Sequence, residues 1–589
     1  MDSQAQLREL HSRSKEKIGV LKKRLRRLSI GRLVTFLAIV LVLYFFWSER
    51  PLVWIAALIL AAIFLFLLRR YADTKAIYDH EKKYAAFLDQ EIIGNWESFY
   101  SGNEFKDPGH PYTSDLGVFG PFSIFQYINR AESPLARLKM ARWLSEEILS
   151  IKAIQRENAI IEELGKHPEF LFRVLALGSA ANATETGLEK VKSWSDKDDA
   201  KGSAFWWIGV RFVLPAISIL ALALSIYGFI SVNNLLLVLL LPFIVVGANI
   251  KKHQQLFTET AEILERADAF RDILKAIKHE NFSSPEVQRL IAEYDLASSD
   301  NGLKKLSSII GAIDSRNNVL VAIVLNLFLT WDFQCAFRLK KWKSEYSSSL
   351  SQWLELATIF ETYASFGVYS FMHPGYNKAQ LSESASIELK NSSHILMDDR
   401  AVPNGFKLNE GERITIITGA NMAGKSTYLR MIGTTMLLAM RGLPVRAESF
   451  SFKPRRLFTS MLTVDSLGDS ESYFFSELKR LRQLADKLEA GTECFVILDE
   501  ILKGTNSKDK AEGSKSFVKK LLSLPMKGII ATHDLSLCHL EKEFPEKIIN
   551  QKFEIHFDKD ELVFNYQVEP GVCQNMNASF LLNKMGLSE

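Results

Sequence analysis

A short, mostly β-branched run, Arg413-Ile414-Thr415-Ile416-Ile417-Thr418, passes without a break into Gly419-Ala420-Asn421-Met422-Ala423-Gly424-Lys425-Ser426, and residues 427–440 then read as a helix. Few arrangements satisfy that order. It demands a buried parallel strand, a tight glycine loop, and a helix whose first N–H groups face the loop. The glycines let successive backbone N–H groups converge on an anion at the positive end of the helix dipole. In such a loop Lys425 neutralises the outer phosphates of a nucleotide, and the Ser426 hydroxyl binds Mg²⁺. Gly419, Ala420, Asn421, Met422, Ala423, Gly424, Lys425, Ser426 and Thr427 are therefore the expected nucleotide-binding set.

Two more strands bring candidate chemistry to the same place. Cys494-Phe495-Val496-Ile497-Leu498 ends in Asp499-Glu500, which puts both acids at the carboxyl edge of a sheet, where open α/β folds bind ligands. Asp499 is expected to hold Mg²⁺, directly or through water, and Glu500 to polarise the attacking water. Gly528-Ile529-Ile530-Ala531-Thr532 delivers His533, placed to sense the terminal phosphate. An isolated acid pair or a lone histidine usually has a structural task. The phosphate loop alongside is what makes Glu500, Lys425 and His533 catalytic candidates and Ser426 and Asp499 metal candidates.

The chain upstream is organised differently. Its 589 residues are 47% apolar and 24% charged, near the soluble average, and a net charge of +4 selects no partner. The apolar residues are segregated, however. Residues 33–47 and 52–68 carry no charge and are separated only by Ser48-Glu49-Arg50-Pro51; residues 212–230 and 235–250 form a second such pair. As helices the first two reach roughly 22 to 26 Å, short of a ~30 Å hydrocarbon core unless Arg32, Arg69 and Arg70 snorkel. Arg24, Arg26, Arg27, Arg32, Arg69, Arg70, Arg211, Lys251 and Lys252 flank the spans on one side. The positive-inside rule then predicts four spans in a bacterial-type inner or plasma membrane, with both termini and all larger segments cytoplasmic and lipid as a partner. The basic arm before the first span argues against a cleaved signal peptide. Residues 319–329 form a further apolar run with Asn326 inside it, expected to be a core helix rather than a re-entrant one. Cys335, Cys494, Cys538 and Cys573 are far apart and form no C-x-x-C pair, as in a reducing compartment.

Between and after the hairpins the pattern is helical. Ser133-Pro134 and Ser284-Pro285 read as helix N-caps followed by a first-turn proline. Residues 259–279 suggest a long charged helix.

Several segments together resemble the MutS family of DNA mismatch repair ATPases. Thr418 to Thr427 is nearly identical to that family's phosphate loop, Leu498-Asp499-Glu500-Ile501 with Gly504-Thr505 is similar to its acidic motif, and Ala531-Thr532-His533 to its switch-histidine motif. Ser472-Tyr473-Phe474-Phe475-Ser476-Glu477 resembles its signature helix, which implies that Ser472 reaches across a homodimer to the partner's ATP. The segment 562–573 resembles the stretch after the switch histidine, which implies that Tyr566 stacks on adenine. The resemblance is strong from residue 391 and weaker over 119–200 and 255–390. Together with the two apolar hairpins read above, it implies an α + α/β architecture: transmembrane helical hairpins, an all-α core and lever, and a C-terminal P-loop (ABC-type) ATPase α/β domain. The expected divisions are a basic arm 1–32, hairpin 33–68, helix and linker 69–118, helical core 119–200, hairpin 205–250, core and lever 251–390, and ATPase domain 391–589. ATP and Mg²⁺ are the implied cofactors, and DNA the implied partner of a mismatch-repair-like or recombination-related activity.

The departures limit this. The family's N-terminal mismatch-reading domain, with its Phe-x-Glu wedge, is replaced by the arm, hairpin and linker; Phe257, Phe475 and Phe544 begin such triplets elsewhere. The second hairpin falls near where the family inserts its DNA-gripping clamp. Ala401 stands where an aromatic often meets adenine, Tyr473 replaces a threonine, and Asn577-Ala578-Ser579 lacks a glycine. Two other readings fit a membrane ATPase-like chain: a transporter-type ATPase, and a tether that binds ATP without hydrolysing it.

Overall fold

The computed structural model describes residues 2–45, 52–179, 209–317, 319–420, 422–461, 473–503, 506–558 and 561–574. Two long antiparallel helices open the chain, α1 (Ser3–Phe45) and α2 (Leu52–Ile93). The helical body follows with α3 (Ile124–Ile128), α4 (Pro134–Ser145), α5 (Ile151–Gly165), α6 (Pro168–Gly178), α7 (Leu214–Ile226), α8 (Val232–His279), α9 (Pro285–Ala292), α10 (Leu296–Asp314), α11 (Val319–Leu329) and α12 (Trp331–Met372). Local signals set several starts. The Ser133 side chain accepts from the Ala136 N–H with Pro134 in the first turn, as expected of that pair. At Pro285 the cap comes from elsewhere: the Glu163 carboxylate on α5 accepts from the Ser284 N–H at 3.1 Å and from the Ser283 hydroxyl at 2.7 Å.

α12 is the pillar of this body. Its C-terminal half, including Trp353, Phe360 and Phe366, is buried against α4, α5, α6 and α10. Glu361, fully buried there, accepts from the Glu132 and Ser133 N–H groups at 2.9 and 2.8 Å and from the Ser133 hydroxyl at 2.6 Å, which makes a buried carboxyl group the clamp for the start of α4.

Beyond α12 lie two sheets. β1 (Gln380–Leu381), β2 (Ile387–Ser392), β3 (Asn404–Leu408) and β5 (Ser449–Phe452) form a small sheet in the order β1-β5-β2-β3. β4 (Ile414–Gly419), β6 (Arg456–Ser460), β7 (Cys494–Asp499), β8 (Met526–Ala531), β9 (Ile548–Asp558) and β10 (Glu561–Pro570) form the main sheet, ordered β10-β9-β4-β8-β7-β6, parallel except for the β9–β10 hairpin. α13 (Lys425–Met440), α14 (Tyr473–Glu489) and α15 (Ser507–Leu521) complete this domain. The helical body and the sheet share one hydrophobic core, and α13 ends against α5 and α12. There Tyr363 packs on Trp143 at 4.9 Å, Arg441 lies over Trp143, and the Tyr369 hydroxyl donates to the Pro444 carbonyl.

The expectation of four membrane spans is not supported. Among the described residues one helix is long and apolar enough to cross a membrane, Val232–Thr258 within α8; the apolar stretch Gly209–Ser225 is shorter, and α11 with α12 qualifies only as a bent pair. The first hairpin is not tested as a pair of spans, because its turn at 46–51 lies outside the described residues. The core-helix expectation for 319–329 also fails, because none of Val321 to Leu329 is buried. α8 runs without interruption through position 250 to His279, Pro242 included.

Candidate nucleotide-binding site

β4 is buried throughout and lies between β8 and β9, so its carboxyl end opens the loop at the middle of the sheet. The loop needs its glycines. Gly424 has φ +100° and Gly419 φ +154°, and a Cβ on Gly419 would sit 2.9 Å from the Phe553 carbonyl. Lys425, the first residue of α13, is buried, and its ammonium donates to the Gly419 and Ala420 carbonyls at 2.6 and 2.9 Å. Burial pulls this ammonium below the ordinary lysine range, against the opposing pull of Asp499 and Glu500.

The Ser426 hydroxyl donates to Asp499 Oδ2 at 2.6 Å. These two oxygen ligands suit a hard cation that keeps water and phosphate oxygens in its shell; no group of three His, Cys, Asp or Glu side chains able to hold a metal alone occurs among the described residues. Glu500 has φ +59° and its N–H donates to the Ala531 carbonyl at 2.8 Å, a strained position that turns its side chain from the end of β7 toward the end of β8. Glu500 Oε1 then lies 3.1 Å from His533 Nε2, and Oε2 lies 3.6 Å from Lys510 Nζ. His533 Nε2 is also 3.4 Å from Lys425 Nζ. One tautomer donates to Glu500 and the other accepts from Lys425. Burial, and then the Lys425 charge, lower the His533 pKa, so the neutral ring that can choose between them is favoured.

A cavity of about 700 Å³ joins these groups to Ser393, His394, Met397, Ala401, Asn404 and Tyr566. Tyr566 projects from β10 at an irregularity in the β9–β10 register, with φ +52°, stacked on Phe564 at 5.8 Å. Asn404 fixes the backbone there, donating to the Tyr566 carbonyl and accepting from the Val568 N–H. Ala420, Gly424, Lys425, Ser426, Thr427, Asp499, Glu500, His533 and Tyr566 thus line one cavity, with the exposed Met422 at its mouth. Gly419 and Ala423 support the loop from behind. Asn421, Ser472, Gly504, Thr505 and the segment 577–579 lie outside the described residues.

Three residues carry roles that their sequence context does not assign. The buried Glu477 on α14 accepts from the Leu502 N–H at 2.7 Å and the Lys503 N–H at 3.0 Å, gripping the loop that follows Glu500; Leu502 also has φ +59°. One turn along α14, Arg480 donates to the carbonyls of His110, Pro111 and Thr459 at 2.8, 2.9 and 3.0 Å, strapping the 109–115 linker to the site's own helix. His394 forms the third hidden element. Its Nδ1 accepts from the Leu396 N–H, and burial, with the Arg430 charge adding, pulls its pKa down to about 4. A depressed histidine stabilises the fold fully above its free value of about 6.5, and that stability is lost as pH falls through about 4. Thermal unfolding followed between these limits should show a loss of up to about 3 kcal/mol, which His394→Gln should remove from the pH profile.

A parallel sheet whose central strand feeds a glycine loop and helix, facing an acidic strand end, defines a phosphate-loop nucleotide-binding domain. Comparison with known proteins narrows this: the family model for MutS domain V matches residues 415–583. Curated relatives align over the same third. MutS protein homolog 4 of Homo sapiens is 29% identical over 203 residues, 33% of this chain and 21% of the relative. Endonuclease MutS2 of Thermus thermophilus is 33% identical over 34% of this chain and 26% of its own. The DNA mismatch repair protein MutS of Clostridioides difficile is 34% identical over 33% and 21%. The aligned part spans only a fifth to a quarter of those relatives' length. The C-terminal third is therefore similar to MutS domain V.

Proposed function

We propose that this protein is a membrane-anchored ATPase of MutS type, which hydrolyses ATP between two copies of the chain and acts on DNA. The observation that carries the reading is the convergence of Lys425, Ser426, Asp499, Glu500 and His533 on one cavity. ATP phosphates entering the loop take Lys425 from the Gly419 and Ala420 carbonyls. Ser426 and Asp499 would hold Mg²⁺, which supplies charge neutralisation at the phosphates when bound. Glu500 accepts the proton of the attacking water, while His533 holds that carboxylate and contacts the terminal phosphate. Ser472 completes the site from the partner subunit, and Tyr566 stacks on the base. The α7–α8 hairpin and the apolar ends of α1 and α2, whose outer faces expose residues such as Phe36, Leu41, Leu65, Leu220 and Leu240, seat the chain in the membrane with the ATPase domain cytoplasmic.

The sequence carries no base-reading motif, so the DNA contact proposed is to its backbone. Turnover by the detergent-solubilised full chain, measured with and without homoduplex, mismatched and branched DNA, tests the reading. We expect ATP hydrolysis, and a DNA affinity that falls steeply with salt. Absence of turnover ends the ATPase reading; turnover unaffected by DNA, with no salt-dependent binding, ends the DNA part.

A further inference from the structure

The polarity of α11 is inverted. Val321, Ile323 and Val324 are 41%, 46% and 55% exposed, while Asn326 turns inward: its Nδ2 donates to Asp332 Oδ1 and its Oδ1 accepts from the Asp332 N–H, both at 3.0 Å. A core helix buries its apolar face, and a water-exposed surface helix turns its polar residues outward. α11 does neither. Apolar side chains outside with the polar group satisfied inside is the arrangement lipid requires. The helix packs beside α7 and α8, whose exposed Leu220, Leu240 and Phe243 belong to the same apolar part of the molecule.

α11 does not cross. Its 11 residues reach about 16 Å, half of a ~30 Å hydrocarbon core. At Thr330 the chain turns by 78° into α12, through a left-handed residue (φ +46°) that is fully buried. Irregular backbone at membrane depth survives only where protein satisfies it. Here the Thr330 N–H donates to the Asn326 carbonyl at 3.2 Å, its hydroxyl to the Val210 carbonyl at 2.9 Å, and its carbonyl accepts from the Phe333 N–H at 3.0 Å. Polar locks brace the turn: Arg316 pairs with the buried Asp332 at 2.8 Å, and Arg211 and Gln334 exchange two hydrogen bonds of 2.8 and 2.7 Å.

We infer that α11 is a re-entrant half-span whose Val321, Ile323 and Val324 face sits among lipid acyl chains beside the α7–α8 hairpin. This rests on the membrane reading above and specifies it. The test uses the full chain in liposomes, carrying Val324→Cys or, separately, Leu240→Cys on α8, each labelled with a bimane fluorophore. Both labels should lose most of their emission when the lipid is brominated on its acyl chains. Quenching at Leu240→Cys alone overturns the half-span and leaves the anchored hairpin standing; quenching at neither overturns both. Quenching at Val324→Cys alone also overturns the proposal, since α11 would then have no hairpin beside it. Disulfide cross-linking of unlabelled Val324→Cys between copies, without lipid quenching, assigns the face to a second copy and overturns it too.

Discussion

Glu500→Gln should bind ATP with little change while losing at least about 100-fold in turnover, the scale of a positioned general base. The amide keeps the volume of the side chain, and the backbone that aims it is fixed independently by the Glu500 N–H to Ala531 bond. The loss should therefore fall on kcat and not on KM. With hydrolysis blocked, the ATP-bound state accumulates, and this variant should sediment as a dimer in ATP and as smaller species without it. Equal, negligible turnover for wild type and variant would show the tether that binds without hydrolysing. A variant that stays monomeric in ATP would remove the shared site.

Glu477→Ala should cost nearly as much without touching nucleotide. The carboxylate holds the Leu502 and Lys503 N–H groups, and the chain from β7 to that point carries two left-handed residues, Glu500 and Leu502. Released, that loop relaxes, Glu500 moves, and a displacement of about 1 Å can cost on the order of 100-fold in rate. Two orphaned N–H groups also lower stability by about 1–3 kcal/mol each where water cannot reach them. Glu477→Gln keeps one acceptor and should recover part of kcat, with KM for ATP near the wild-type value in both variants. A fall in ATP affinity that matches the fall in kcat would instead mark Glu477 as merely supporting the fold.

What was legible in the sequence was local. The phosphate loop, the Asp499-Glu500 strand end and His533 each announce themselves within about ten residues, because a buried strand followed by a glycine loop or an acid pair has few other uses. The Ser133-Pro134 start was legible for the same reason. The unread parts depend on distant partners. Nothing near Glu477 says that its carboxylate closes on Leu502, and nothing near Arg480 points to carbonyls at positions 110 and 111. The apolar run at 319–329 looked like core because composition does not say which way a helix faces. Only the inward turn of Asn326 onto Asp332 reveals the inversion.

α12 is a single unbroken helix of 42 residues, about 63 Å long. Its deep end rests beside α13, which begins at the phosphate loop, and its other end begins at the Thr330 turn. A rod of that length is a mechanical amplifier. Tilting it by about 5° about its buried end would carry Trp331 sideways by about 5 Å, close to one helical pitch. Motions too small to notice around a nucleotide would arrive at the apolar end of the molecule as displacements as large as the spacing between turns.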